Sequence, residues 1–269
     1  MPEHTGHPAG GSPALGALLL VLLAAYLAAV TVAAGHGRRW SWWRTGAWCA
    51  GLAAAGAAVL GPLPAAAHHD FVAHTAGHLL LGMLSPLLLV LGRPVTVLLR
   101  ALPVAPARRL SRLLGSTPVR VLTHPVTAAI LNAGGLWLLY TSGLYAATRT
   151  DEWLHLVVHA HVFLTGYLLT ATVVGGDPAP HRPAFAVRAG ALVGFLAAHG
   201  ILAKHLYAHP PEGVAAGPAE TAAMLMYYGG DLIDLVLIVM LCRQWYAATR
   251  PGPAVRPRAG VTPALPYPR

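Results

Sequence analysis

Four of the histidines occur as two pairs with the same spacing. His74 and His78 stand in the sequence HTAGH, and His155 and His159 stand in HLVVH. Residues four apart in an α-helix project from one face, one turn apart, so each pair presents two imidazoles in the same direction. Neutral imidazole is a ligand for copper, zinc, nickel and iron. The spacing therefore predicts a metal or cofactor site between the two helices that carry these pairs.

Other polar side chains extend this candidate site to further helices. At about 1.5 Å of rise per residue, four side chains lie roughly 8–17 Å from the same predicted membrane boundary: His78, His159, His199 and Asp231. Asp234 follows Asp231 by three residues and is a second candidate carboxylate. His161 lies about 200° around its helix from His159, so we expect it to face a different neighbouring helix.

Copper is the metal that these residues favour. The end of the bundle that is predicted to carry most of the histidines has no cysteine, which argues against a thiolate-rich site. The thioethers of Met83, Met224 and Met226 are available as soft ligands for Cu(I), although methionine in a helix more often serves packing. Both Cu(I) and Cu(II) remain open, as do zinc, nickel and iron.

The helices that must position these side chains are predicted to cross a membrane. The chain of 269 residues is 56% hydrophobic and only 10% charged, with a mean hydropathy of +0.58. A bilayer core takes about 20 apolar residues per helix, and stretches of about that length occur at 14–34, 45–61, 70–91, 125–146, 153–175, 185–206 and 220–243. We predict an all-α polytopic membrane helix bundle with seven transmembrane helices.

The arginines set the predicted orientation. Of 18 Lys and Arg residues, all but Arg149 and Lys204 follow the first, third, fifth or seventh stretch. Positively charged loops lie on the cytoplasmic side, which places the N-terminus outside and the C-terminus in the cytoplasm of a bacterial cell membrane. Most of the 15 histidines then fall in the outer half. The net charge of +9 is thus explained by topology, with no nucleic-acid partner.

Three regions follow from this topology. Residues 1–13 form an extracytoplasmic segment, and 14–248 form the transmembrane domain with a basic cytoplasmic segment at 92–124. Within that segment, PARRLSRLL (106–114) has the amphipathic pattern of a helix lying on membrane lipid. The tail at 249–269, rich in Pro and Arg, is predicted to be disordered.

The sequence argues against several other functions. Cys49 and Cys242 form no CxxC motif, HExxH is absent, and no nucleophile and base pair stands out in the outer half. We therefore predict a binding protein and no enzyme. Two alternatives remain: a haem protein of electron transfer or reductase type with axial imidazoles, and a copper permease with a polar path through Asp231 and Asp234.

Three stretches resemble one known family. HTAGHLLLGMLSPLLLVLGRP (74–94) is similar to the signature of the polytopic CtaG family of cytochrome c oxidase assembly factors. HLVVHAHVFLTGYLLTATVVGGDPAP (155–180) and FLAAHGILAKHLY (195–207) resemble the histidine helices that follow it. The chain departs from the family pattern at MYYGGDLID in the last helix, which leaves the roles of Asp231 and Asp234 open.

The resemblance implies a function and a set of residues. It implies a membrane factor that delivers copper to the CuB centre of the cytochrome c oxidase catalytic subunit. An extracytoplasmic donor is the expected source of that copper. Carried over by position, the motif histidines are His74, His78, His155, His159, His161 and His199. Together with Asp231, predicted from its depth in the membrane, they form the expected metal-ligand set.

Overall fold

The computed structural model describes residues 13–250, and this part of the chain is helical without a β-strand. The helices are α1 (Pro13–Gly35), α2 (Trp42–Val59), α3 (Pro62–Ala67), α4 (Phe71–Leu79), α5 (Ser85–Leu91), α6 (Pro94–Ala101), α7 (Val104–Leu114), α8 (Thr117–Leu122), α9 (Pro125–Thr141), α10 (Leu144–Thr148), α11 (Glu152–Val174), α12 (Phe185–Ala208) and α13 (Ala216–Thr249). A π-helical turn, Leu80–Leu84, joins α4 to α5. The all-α prediction is confirmed.

Six helical segments are long and apolar enough to cross a membrane. They are Pro13–Gly35, Trp42–Ala67, Phe71–Ala101, Glu152–Val174, Phe185–Ala208 and Ala216–Thr249. The predicted span at 125–146 is divided, because α9 ends at Thr141 after 17 residues and α10 begins at Leu144. A helix of that length reaches about 25 Å, slightly less than the roughly 30 Å of a bilayer core. The seventh crossing and the orientation of the termini stay predictions.

The core that positions the histidines lies among α4, α9, α11, α12 and α13. Buried side chains from these helices form two apolar clusters, one around Leu139, Leu202 and Met226 and one around Leu169, Phe195 and Leu237. Large apolar side chains such as Ile130, Val193 and Leu232 remain exposed on the outer faces of the same helices. An apolar exterior around a packed interior is what a helix bundle in lipid requires.

Helices α1 and α2 pack on the side of this core. Tyr26 of α1 stacks on Trp48 of α2, with ring centroids 4.6 Å apart. The Tyr26 hydroxyl donates to the Gly92 carbonyl at 2.7 Å and accepts from the Trp40 indole N–H at 3.2 Å. These two hydrogen bonds tie the start of the basic segment 92–124 to α1 and to the residues before α2.

The π-helical turn begins at Leu80, two residues after His78. Pro86, at the start of α5, has no N–H to donate to the carbonyl of Gly82 four residues earlier, and such interruptions kink or widen a helix. Gly82 lies against Gly166 of α11, where neither residue has a side chain to separate the two backbones. The turn therefore places a close backbone contact with α11 one helical turn from His78.

The predicted amphipathic piece 106–114 lies within a longer helix, α7, flanked by the short helices α6 and α8. Its predicted contact with lipid stays a prediction. Residues 1–12 and 251–269 lie outside the described part of the chain, and with them the predicted N-terminal segment and nearly all of the predicted disordered tail. Helix α13 itself continues to Thr249, six residues past the predicted end of the last span.

Asp177 caps α6 from the connection that follows α11. Its carboxylate accepts from the Thr96 backbone N–H at 2.8 Å and from the Val95 N–H at 3.4 Å. Loss of a capping carboxylate costs about 0.5–2 kcal/mol, so Asp177→Ala is expected to lower the thermal unfolding midpoint of the protein in detergent. Glu212→Ala, at an exposed loop position, is the control. Equal midpoints for the two variants would show that the cap contributes nothing.

Candidate metal centre

The first group of histidines joins α4 to α11. The rings of His155 and His159 lie with centroids 4.0 Å apart on one face of α11. His159 Nδ1 lies 2.9 Å from the His155 carbonyl oxygen. A carbonyl only accepts, so Nδ1 carries the proton and Nε2 keeps its lone pair. His159 therefore presents a nitrogen that is ready to bind a metal ion.

Two further histidines extend this group in opposite directions. His68, at the end of α3, is exposed and stacks on His155 with centroids 5.7 Å apart. His74 of α4 meets His159 edge to face at 6.3 Å. We call these four residues, His68, His155, His159 and His74, the α4–α11 group. They form a continuous series of imidazoles from the protein surface into the bundle.

Aromatic residues hold His74 in place. His74 Nε2 lies 3.1 Å from the Tyr140 hydroxyl, and its ring lies edge to face on Tyr145 with centroids 5.0 Å apart. Phe71, one turn earlier in α4, stacks on the other side at 5.8 Å. A ring packed on three sides has a fixed orientation, which is the role that outer-shell partners play for metal-binding histidines.

The second group is a buried pair, His78 of α4 and His199 of α12. Their ring centroids lie 6.3 Å apart, and the two side chains are only 8% and 3% exposed. The Nε2 atoms of both rings are buried, and neither finds a hydrogen-bond partner in the described residues. Buried polar atoms are nearly always satisfied, so two orphaned nitrogens on neighbouring rings point to a ligand. We call these residues the α4–α12 pair.

A carboxylate lies in the same interior region. Asp234 of α13 is 1% exposed, and its Oδ1 is buried without a partner in the described chain. It lines a cavity of about 10 Å³ together with Met83, Asn132 and Thr170, which has room for about one water molecule. Asp231, the carboxylate in the expected ligand set, is exposed instead. The structure therefore directs Asp234, and not Asp231, into the bundle.

His161 has a different environment from its neighbours on α11. Its Nε2 lies 3.1 Å from the Leu131 carbonyl of α9, so that nitrogen donates a hydrogen bond between helices. The ring packs against Gly135, where any β-carbon would collide with it. His161 thus faces a different helix, as its angular position indicates, and the structure gives it a contact with α9.

The described histidines do not converge on a single point. Among residues 13–250, no three His, Cys, Asp or Glu side chains are placed so that they could hold one metal ion. His74 and His78 of α4 contact different partners, because His74 lies against His159 and His78 lies against His199. Of the expected ligand set, His74, His155 and His159 lie in the α4–α11 group and His78 and His199 form the α4–α12 pair. His161 and Asp231 belong to neither.

A comparison with known families identifies the family of the chain. Residues 24–248 match the cytochrome c oxidase caa3 assembly factor family, Caa3_CtaG. The chain belongs to this family. The match includes every helix that carries a histidine of the two groups, and the resemblance to the CtaG family is confirmed.

This member of the caa3 assembly factor family has longer mycobacterial relatives. The chain is 33% identical over 192 residues to an uncharacterized protein of Mycobacterium tuberculosis (strain CDC 1551 / Oshkosh), and 32% identical over 192 residues to one of Mycobacterium leprae (strain TN). Each alignment includes 69% of this chain and 29% of the relative, so the chain spans under a third of the length of these relatives. No solved structure matches it.

Some residues of the candidate site have only a weak signal in the sequence. Asp234 shares a helical face with Met226 and Gly230 at intervals of four residues, and all three are buried. That periodicity separates Asp234 from the exposed Asp231 once the buried face of α13 is identified. Tyr140 and Tyr145 have no such pattern, because they reach His74 from α9 and α10.

Proposed function

We propose that this protein binds copper through its histidines and passes it to the CuB centre of the cytochrome c oxidase catalytic subunit. The observation that carries the proposal is the α4–α12 pair, with two buried and unpartnered Nε2 atoms on neighbouring rings. Membership of an oxidase assembly factor family supplies the target. Imidazole nitrogen is a ligand for both Cu(I) and Cu(II), so the chemistry of the pair fits this cargo.

The two rings stack with their planes inclined by 27°, so both must rotate before their Nε2 atoms face one ion. With metal to nitrogen bonds near the 2.0–2.1 Å of zinc–histidine sites, two imidazoles on opposite sides of an ion have centroids roughly 6 Å apart. The centroids of His78 and His199 lie 6.3 Å apart. The thioether of Met83, which is buried and lines the cavity beside Asp234, is a soft group available to Cu(I) at the same depth.

The α4–α11 group supplies a route to that pair. Copper from an extracytoplasmic donor first meets the exposed ring of His68, and then the lone pair of His159 Nε2. Along the series His68, His155, His159 and His74, successive ring centroids are 5.7, 4.0 and 6.3 Å apart. His78 of the α4–α12 pair follows His74 by one helical turn, so the proposed ligand exchange runs along the series and then onto the pair. Sites with two protein ligands leave coordination positions open, which a carrier needs in order to release its metal.

The proposed role is binding and transfer, without an enzymatic step. The protein would work in a bacterial cell membrane with its histidine-bearing end outward, because the arginine groups lie toward the other end of the bundle. In this orientation the metal enters from the side on which the extracytoplasmic donor is found.

Metal analysis of the purified protein tests the binding step. After loading with Cu(I) and removal of excess metal, we expect copper bound by the wild-type chain and no Soret band in the visible spectrum. His78→Ala and His159→Ala should each lose copper, because each removes an available nitrogen. His209→Ala, at an exposed position, is the control. Unchanged copper in both site variants would contradict the proposal, and a Soret band would favour haem.

The delivery step is tested on the oxidase. Cytochrome c oxidase purified from cells that lack this protein is expected to contain less CuB than haem. Wild-type protein should restore the ratio, whereas His78→Ala should not. Oxidase with full CuB in the absence of the protein would overturn the delivery role and leave copper binding to be explained separately.

A further inference from the structure

A cluster of cationic side chains lies at the opposite end of the bundle from the histidines. Arg188, near the start of α12, and Arg182, just before it, both donate to the side-chain oxygen of Gln244 on α13, at 2.9 and 3.0 Å. The Gln244 amide in turn donates to the Val174 carbonyl at the end of α11, at 2.7 Å. We call Arg182, Arg188 and Gln244 the arginine cluster. It connects three helix ends.

The two guanidinium groups of the cluster are positively charged, and all their hydrogen-bond acceptors in the described residues are neutral. Arg188 is 8% exposed and also donates to the Val173 carbonyl at 2.8 Å. In residues 13–250 no carboxylate accepts from either guanidinium group, and Arg188 Nε is buried without a partner. Burying a charge is costly unless an opposite charge accompanies it. The arrangement therefore lacks an anion.

A neighbouring arginine adds a further positive charge near the cluster. Partial burial lowers the pKa of Arg182, and the positive charges of Arg188 and Arg93 lower it further. Arg93 approaches from the other side of the α11–α12 connection, where its guanidinium packs against Gly176. Arg182 itself is exposed, so an anion from outside the chain has access to the cluster.

The surface beside the cluster is aromatic and exposed. Phe185 of α12 stacks on Trp245 of α13 with centroids 5.5 Å apart. Trp245 is 48% exposed and Tyr246 is 63% exposed. Exposed Trp and Tyr at the end of an apolar helix are typical of the membrane interface. A phospholipid has both a phosphate that the arginines can bind and an acyl chain that can pack against the aromatic side chains. A free anion would contact only the arginines.

We propose that the arginine cluster binds the phosphate of an anionic phospholipid, whose acyl chain lies against Phe185 and Trp245. Arginine is suited to this role because its planar fork of N–H groups matches phosphate oxygens. Bound lipid would supply the missing anion and hold the ends of α11, α12 and α13 together. This site is independent of copper binding, because it involves neither histidine group.

Thermal unfolding of the full chain in an uncharged detergent tests the proposal. We expect phosphatidylglycerol to raise the unfolding midpoint by several degrees more than phosphatidylcholine does, because a ligand of the folded state stabilises it. Arg182→Gln should lose this difference. Arg39→Gln removes the same charge from an exposed position between α1 and α2 and should retain it. Equal losses in both variants would reduce the effect to general charge attraction and overturn the site.

A second variant tests the missing charge directly. Gln244→Glu places a carboxylate beside both arginines, so we expect a smaller phosphatidylglycerol effect together with a higher midpoint in lipid-free detergent. A full lipid effect in this variant would contradict the proposal. The same unfolding measurement with inorganic phosphate distinguishes a lipid from a soluble anion. If inorganic phosphate stabilises the wild type as much as phosphatidylglycerol does, the site binds a soluble anion and the lipid assignment is wrong.

Discussion

His199→Leu is expected to weaken Cu(I) binding by more than tenfold and, at the same time, to raise the stability of the metal-free protein. Loss of an outer-shell partner alone typically costs 10–100-fold in metal affinity, and loss of a direct ligand should cost at least as much. Affinity is measured by competition with a chromophoric Cu(I) chelator. Stability is measured by thermal unfolding in the presence of a strong chelator.

The gain in stability follows from the environment of the ring. His199 Nε2 is buried without a partner in the described residues, and the ring packs against Phe195. A buried unsatisfied polar group costs about 1–3 kcal/mol, and leucine has no such group. A residue kept for packing would instead lower stability when replaced. The opposite signs of the two effects separate a metal ligand from a structural histidine.

The control for this prediction is His209→Leu. His209 follows α12 directly and is exposed, so its replacement should change neither quantity appreciably. Wild-type copper affinity in His199→Leu would exclude His199 as a ligand. A large fall in its unfolding midpoint would show that the ring is needed for the fold.

Gly166→Ala is expected to destabilise the protein and to disturb both histidine groups together. A β-carbon at Gly166 would collide with the carbonyl oxygen of Gly82 and approach Pro86 Cγ to 3.3 Å. The obstacle is backbone in the π-helical turn, which cannot rotate away as a side chain does. Overpacking of this kind costs about 1–3 kcal/mol, and sometimes more.

The consequence for the site follows from where the two helices touch. Gly82 lies four residues after His78 on one side of the contact, and Gly166 lies seven residues after His159 on the other. Separation of α11 from the π-helical turn therefore moves His155 and His159 away from His74, and the accompanying shift of α4 moves His78 relative to His199. We expect weaker copper binding together with a lower unfolding midpoint, measured as for His199→Leu.

Gly194→Ala is the matched control on α12. A β-carbon there meets nothing within 4 Å, and Ala is favoured over Gly in a helix by roughly 0.5–1 kcal/mol. This variant should be as stable as the wild type or slightly more so, with unchanged copper binding. Equal behaviour of the two variants would show that the close approach at Gly166 is not required.

Most of the helical architecture could be predicted from the sequence. The apolar stretches are long, and in lipid the backbone must satisfy its own hydrogen bonds, which leaves helices as the consistent structure. The break of α9 at Ser142 was missed, because Ser and Gly do not interrupt the apolar composition of 125–146. The last helix extends beyond its predicted apolar span, because the residues after Leu241 continue the helix to Thr249.

The candidate site could be predicted in part. The spacing of four residues correctly places His155 and His159 side by side, because both residues lie on one helix and helix geometry alone fixes their separation. The same spacing gives no information about neighbours on other helices. His74 and His78 share a face of α4, yet one meets α11 and the other meets α12.

The sequence alone is thus enough to predict the long apolar helices, the histidine pairs and the resemblance to the oxidase assembly factor family. The division of the histidines, the choice of the inward carboxylate and the unpartnered nitrogens of the described residues emerge only when the helices pack together. The same packing also brings Arg182, Arg188 and Gln244 together from separate helix ends. The physical reason is that periodicity fixes a side chain's direction around its own helix, whereas its partners depend on the rotation and packing of every neighbouring helix.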